Sequence, residues 1–266
     1  MRADRAKARS EKNEVFRAGT SHIWKEIYMN KGLSGSTLKI IAMLTMLIDH
    51  IGAAVFARMI ISGNAELYDL YLVFRKIGRL AFPIFCFLLI EGFCHTRNVK
   101  KYALRLCMFA VISEIPFDLA FSAKVLEVQY QNVFFTLAIG LITIIMYQKV
   151  EEMQVLHPNL KLVLQILTGG VGAGVAELLR TDYGMLGVLV ILFFYILRKN
   201  RFYQIFMGCI LFIDNITALF AFIPIAFYNG KRGLNVKWIF YVFYPAHLLL
   251  LYAITYVIGL AGVPVV

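Results

Sequence analysis

Charge is what this sequence has least of. Only 16% of its 266 residues are charged, 60% are hydrophobic, and the mean hydropathy is +0.72. Soluble domains carry about 25% charged and 45–50% apolar residues, so a soluble globular fold is excluded. Short segments of alternating polarity are also missing, which excludes a transmembrane β-barrel. The cysteines, at 86, 94, 107 and 209, include no C-x-x-C pair, so neither zinc nor a redox motif is supported. They lie in or beside apolar segments and read as small packing residues. No G-x-S-x-G, P-loop or G-x-G-x-x-G is present. GGVGAG (169–174) sits inside an apolar span, where its role is close helix approach. No internal repeat is detectable, and no set of ligands aligns for a metal.

What is present is a succession of apolar runs of about 17–25 residues, the length that crosses a bilayer as a helix. The expected fold is an all-α, polytopic integral membrane bundle forming one domain over 37–260. Residues 1–36 form a basic polar arm, partly disordered, in which HIWKEIYM (His22–Met29) reads as a short interfacial helix. That long polar start is not expected to be a cleavable signal peptide. The net charge is +11, and 8 of the 27 Lys and Arg lie in the first 37 residues. Such placement reads as topology signals and contacts to anionic lipid rather than as nucleic-acid binding.

The spans read as 38–61, 73–93, 102–121, 132–149, 160–179, 183–197 and 237–258, with 202–228 ambiguous because Asp214–Asn215 sits in the middle of it. The basic segments are the arm, HTRNVKK, RKNR and NGKRG. The positive-inside rule places all of them in the cytoplasm. RKNR and NGKRG share a side only if 202–228 goes out and back. Two short helices hinged at Asp214–Asn215 give about nine transmembrane helices, with the N-terminus in the cytoplasm and the C-terminus outside; eight is the alternative.

Ionisable groups at membrane depth are costly and mark candidate functional sites. Within 38–60 stand Lys39 and the pair Asp49–His50. Lys39 and His50 are 11 residues apart, about three helical turns and roughly 16 Å, on nearly one face. They would point into one cavity. His50 is the candidate general base, because imidazole titrates near neutrality. A neighbouring carboxylate would set its tautomer. Asp49 is adjacent but about 100° away around the helix, so it serves His50 or a different partner. The structural alternative for both is a buried polar network, and for Lys39 it is snorkelling to head groups. Glu91 and His95 share an i,i+4 spacing, as do Glu114 and Asp118 around Pro116, and Arg75 and Arg79. These groups read either as internal ion pairs or as the lining of an acceptor site. Glu114, Asp118, Arg75, Arg79, Glu177, Arg180 and Asp182 are expected toward the outer side, with His247 at mid-depth.

The segments LKIIAMLTMLIDHIGAAVF, RKIGRLAFPIFCFLLIEGFCHTRNVKKYALRL, ISEIPFDLAF, NVFFTLAIGL, AELLRTDYGMLGVL, IPIAFYNGKRG and FYPAHLLLLY occur in this order between residues 38 and 252. In them the chain resembles the TraX family. The resemblance implies a role such as N-terminal acetylation of pilin in conjugal transfer. TraX proteins in turn resemble the acyltransferase-3-type membrane acyltransferases, whose first span carries a basic residue, ten residues and a His, here Lys39 and His50. That resemblance implies a bacterial plasma-membrane enzyme using acetyl-CoA as donor. His50 and Asp49 would be catalytic, and Lys39, Arg97, Lys231 and Arg232 would hold the donor. Substrate-binding candidates are Arg79, Glu91, His95, Glu114, Asp118, Arg180, Asp182, Asp214, Asn215 and His247. The partners implied are the bilayer, the acyl-CoA and a peptide or glycan acceptor, with no nucleic acid and no metal. The competing classes are a transporter or flippase and a non-catalytic membrane scaffold.

Overall fold

A computed structural model describes residues 32–234 and 237–265. The helix expected at His22–Met29, and nearly all of the arm, lie outside the described residues. Within them every regular element is helical, and only two isolated bridges occur, Leu33 with Tyr228 and Gln131 with Thr181. Helix α1 spans Gly35–Ile61, with a π-helical stretch at Ile51–Phe56. It is followed by α2 (Tyr68–Gly78), α3 (Ala81–His95), α4 (Val99–Phe121), α5 (Val133–Glu152) and α6 (Pro158–Leu178). The chain continues with α7 (Gly184–Ile196), α8 (Arg201–Leu211), α9 (Ile216–Leu219), α10 (Phe222–Ala226) and α11 (Lys237–Val257).

Polar caps start α1, α4, α5 and α8, where otherwise the first amides would have no acceptor. The Ser34 hydroxyl accepts from Thr37 N at 3.2 Å, and the Asn98 side chain accepts from Lys101 N at 2.8 Å. Asn132 and Asn200 each accept at 3.0 Å, from Phe134 N and Phe202 N. In α5 and α7 the sequence between the ends is apolar on nearly all sides, as helices in a bundle facing lipid and core require. Among the described residues, five stretches are long and apolar enough to cross a membrane: Gly35–Ile61, Ala65–His95, Val133–Glu152, Pro158–Leu178 and Trp238–Val257. Helix α4, at 23 residues, is long enough but carries too many charges to join them. The chain is a helical membrane protein with five candidate full-length crossings among the described residues; the apolar helices Gly184–Ile196 and Ile216–Ala226 are too short to be counted with them.

The ambiguous region is a broken hairpin. Helix α8 has 11 residues, roughly 16 Å, too short for a hydrocarbon core of about 30 Å. Turns at 212–215 send the chain back through α9 and α10. The Arg201 guanidinium donates to the Ile225 and Tyr228 carbonyls at 3.2 and 3.1 Å, so both feet of the hairpin lie at one end. It also sits 4.9 Å from the centres of the Phe87 and Tyr228 rings. The loop after it docks on the start of α1: Leu33 N donates to Phe227 O at 2.8 Å, Gly35 N to Lys231 O at 2.8 Å and Ser36 N to Arg232 O at 2.9 Å. Gly233 has φ +70°, and its Cα faces the Ser34 and Ser36 hydroxyls with no room for a Cβ. RKNR and NGKRG thus share an end of the bundle with the start of α1. Glu91, near the end of α3, lies beside Tyr228 and Arg201 and brings HTRNVKK to the same end.

Candidate functional site

His50 is the last α-helical residue of α1 before the π-helical turn. Such turns are rare and concentrate at functional sites. Its Nδ1 lies 2.7 Å from Nε2 of His247 on α11, and the two rings are nearly parallel, 7° apart with centroids 4.9 Å apart, meeting edge to edge through these nitrogens. Nδ1 of His247 lies 2.7 Å from the Phe243 carbonyl oxygen. Aromatic rings surround the pair. Phe121 and Tyr244 meet His50 edge-on at 5.4 and 5.9 Å, and Phe243 stacks on His247 at 4.7 Å.

His50 lines a cavity of about 100 Å³ between α1, α2, α3, α4 and the turns beyond α4 and α6. Its polar walls are Asp49, His50, Arg75, Arg79, Tyr130, Asp182 and Tyr183, and its apolar walls include Met46, Phe82, Phe85, Phe117 and Phe121. Asp49 therefore shares the cavity with His50. Its partner is Arg75, at 2.5 Å, while its Oδ1 is buried with no hydrogen bond. The Asp49 side chain packs directly on Gly78, where any Cβ would collide with it. Arg79 lies within electrostatic reach of Tyr183, Asp49 and Asp182. The Tyr130 hydroxyl donates to the Asp182 carboxylate, and the Tyr183 ring stacks on Phe82 at 3.5 Å.

A second, wider cavity of about 610 Å³ abuts the first, sharing Tyr130, Asp182 and Tyr183 with it. It is also lined by Glu177, Arg180, Met185, Leu186 and Leu189. Two turns form the shared wall. Gln131 N donates to Arg180 O at 3.0 Å, and Asp182 N donates to Gln131 O at 2.9 Å.

The other sequence candidates fall outside the inner cavity. Glu114 and Asp118 hold the segment 122–132 in place: the Asn132 side-chain amide donates to Glu114, and Glu127 N donates to Asp118 Oδ2 at 2.7 Å. Helix α4 runs through Pro116 without a break. Arg180 is exposed, in the turn beside the wider cavity. Asp214 and Asn215 form the hairpin tip, where Asn215 Oδ1 accepts from the Thr217 hydroxyl at 3.0 Å. The exposed His95 donates through Nδ1 to the Glu91 carbonyl at 2.8 Å. Lys39 is half-buried one turn into α1, next to the docked Lys231 and Arg232, with Arg97 exposed in the loop between α3 and α4. These four cations gather at the α1 N-terminal end. The cavity expected to hold both Lys39 and His50 takes a different shape: it contains His50, opens toward Asp182 and does not reach Lys39. Phe82 and Phe85 are among its apolar walls.

Sequence reasoning passed over Arg58, Tyr130 and Tyr183. Arg58 is 0% exposed and donates to four carbonyls: Ala54 at 2.8 Å, Ala120 at 2.5 Å, Leu119 at 3.3 Å and Val263 at 2.8 Å. Its signal was an ionisable residue inside an apolar run. Tyr130 carried none, since tyrosine in a polar loop is unremarkable. Among the described residues no group of three or more His, Cys, Asp or Glu is placed to hold a metal ion.

A polytopic helical protein with a paired half-buried and buried imidazole beside a charged internal cavity is the class this geometry defines. The TraX protein family model matches residues 34–255, so the chain belongs to the TraX family. It is also similar to a probable fimbrial assembly protein, FimC of serogroup H1, from Dichelobacter nodosus, at 32% identity over 254 residues, covering 84% of this chain and 96% of that one. No solved structure matches it.

Proposed function

We propose that this protein is a membrane-embedded acyltransferase that moves an acetyl group from cytoplasmic acetyl-CoA to an envelope or exported acceptor. The observation that carries this reading is His50, whose one ring nitrogen engages His247 while the ring itself lines a polar internal cavity. His50 takes the proton of an acceptor amine or hydroxyl. The acceptor heteroatom then bonds to the acyl carbon, the thioester C–S bond breaks, and the CoA thiolate leaves with a proton. Lys39, Arg97, Lys231 and Arg232 would meet the donor phosphates. With that end in the cytoplasm, as their charge favours, Arg79, Tyr130 and Asp182 stand on the outer approach to His50. Counting α4, α7 and the two arms of the broken hairpin with the long helices gives nine passages, N-terminus in the cytoplasm, in a bacterial plasma membrane. Membership of the TraX family and likeness to a fimbrial assembly protein favour a pilin-like peptide acceptor, with a glycan or lipid-linked sugar as the alternative.

The test is transfer of labelled acetyl from acetyl-CoA in membranes holding the wild type or His50→Ala, with acetylated envelope products compared. The variant is expected to be folded and inactive; full transfer by it would refute the assignment. Acetyl-CoA at 100 times its dissociation constant should also stabilise the purified protein by about 2.7 kcal/mol, whereas a transporter of other cargo would be indifferent to it.

A further inference from the structure

We propose that His247 is a positioning residue that sets the working tautomer of His50, through a hydrogen-bonded chain anchored on the Phe243 carbonyl. Donor and acceptor logic is enough to derive it. A carbonyl oxygen only accepts, so the 2.7 Å contact from His247 Nδ1 to Phe243 O places a hydrogen on that Nδ1. His247 is 4% exposed and packed among the rings of His50, Phe243 and Tyr244. No carboxylate pairs with it among the described residues, so an imidazolium there would be a dry, uncompensated charge. The neutral ring with hydrogen on Nδ1 has a bare Nε2. That Nε2 lies 2.7 Å from His50 Nδ1, which must therefore be the donor. Neutral His50 is left with its lone pair on Nε2, and His50 is the member of the pair that lines the cavity.

Asp49, the neighbour in sequence, has no part in this chain: its carboxylate is paired with Arg75. An imidazole fills the place that a carboxylate takes behind many catalytic histidines. The consequence is specific. When an acceptor proton moves to His50 Nε2, His50 becomes an imidazolium that still donates from Nδ1 to His247. The added positive charge is shared across the His50–His247 hydrogen bond toward the Phe243 carbonyl dipole, and the proton later leaves by the same Nε2 with the thiolate. Without His247 the neutral ring is free to carry its hydrogen on Nε2, and the cavity then faces a donor instead of a base.

The tautomer stands on geometry alone, whereas its kinetic consequence rests on the acyltransferase reading. Two measurements keep these apart. The first is nitrogen NMR of histidine-labelled full-length protein in micelles, with the His50 signals assigned by their absence in His50→Gln. A pyrrole-type shift at His50 Nδ1 and a pyridine-type shift at Nε2 are expected; the reverse assignment overturns the proposal whether or not acetyl transfer is found. The second is steady-state kinetics of His247→Ala and His247→Gln, with unfolding midpoints recorded alongside. Loss of an orienting partner should lower kcat roughly 10–100-fold while KM stays within about twofold. Gln keeps an acceptor for His50 and a donor for Phe243, so it should recover most of the loss. Wild-type kcat in His247→Ala, or a Gln variant as slow as Ala with an unchanged midpoint, would overturn the positioning role.

Discussion

Arg58 offers the sharpest physical test. It is a fully buried guanidinium with four carbonyl partners and no carboxylate among its hydrogen bonds. Leu119 and Ala120 belong to the last turn of α4, where carbonyls lack amides further along the helix and the helix dipole is negative. Val263 lies in the segment after α11, and Ala54 in the π-helical stretch that follows His50. Arg58→Met keeps the length and the apolar stem but removes every donor. Leaving the three closest carbonyls dry costs about 1–3 kcal/mol each. Against that, the desolvation of a guanidinium, several kcal/mol, is no longer needed. The net expectation is a loss of about 2–4 kcal/mol. It should be read as a lower unfolding midpoint in detergent, with faster hydrogen exchange at 258–265. Because Arg58 ties down the π-helical turn, acetyl transfer should fall as well. An unchanged midpoint together with unchanged exchange at 258–265 would refute the reasoning, since the four bonds would then contribute nothing.

Further expectations concern single contacts. Gly78→Ala drives a methyl into the Asp49 side chain and should cost about 1–3 kcal/mol in thermal unfolding, most of which disappears in an Asp49→Gly background; an equal cost in both would show that the clash is elsewhere. Tyr130→Phe removes the hydroxyl that closes the wall on Asp182, so Ala53→Cys, placed on the inner cavity, should react faster with an impermeant thiol reagent; an unchanged rate counts against that wall as a barrier. Gly233→Ala meets both a left-handed backbone and the Ser34 and Ser36 hydroxyls, and should lower the midpoint by the equivalent of about 1–3 kcal/mol while weakening stabilisation by acetyl-CoA. Stabilisation by acetyl-CoA as strong as in the wild type would separate the loop from the donor.

The helical membrane fold was legible because apolar runs and their polar ends are local signals. The hairpin was legible for a less local reason: Asp214–Asn215 interrupted an apolar run, and the basic segments on either side needed one end. The break between α2 and α3 was missed, because one span was drawn over 73–93, straight through Gly78 and Arg79. Pro83, the third residue of α3, was the signal, since the first turn of a helix has no use for that amide. At the site, the cost of burying His50 and Asp49 singled them out, but not their partners. Asp49 meets Arg75, 26 positions away, and His50 meets His247, 197 away. Helical periodicity reaches only to the next few turns, so pairings between helices are beyond it. The same limit explains the Lys39 cavity: spacing put two side chains on one face, but the shape of the space beside that face is set by side chains from other helices, and the cavity at His50 does not include Lys39.

The docking of the 227–234 segment on the start of α1 has a bearing on biosynthesis. The amides of Leu33, Gly35 and Ser36 emerge early in translation, yet their acceptors at Phe227, Lys231 and Arg232 come some two hundred residues later. The His50–His247 contact spans the same interval. A nascent chain therefore carries α1 in the membrane with an undocked N-terminal end until 227–234 has been made, and with His50 unmatched until α11 follows. The loop can dock first, and the histidine pair forms only when α11 is in place. On the proposed acyltransferase reading, a chain that stops before α11 holds His50 without His247 and so lacks the pair.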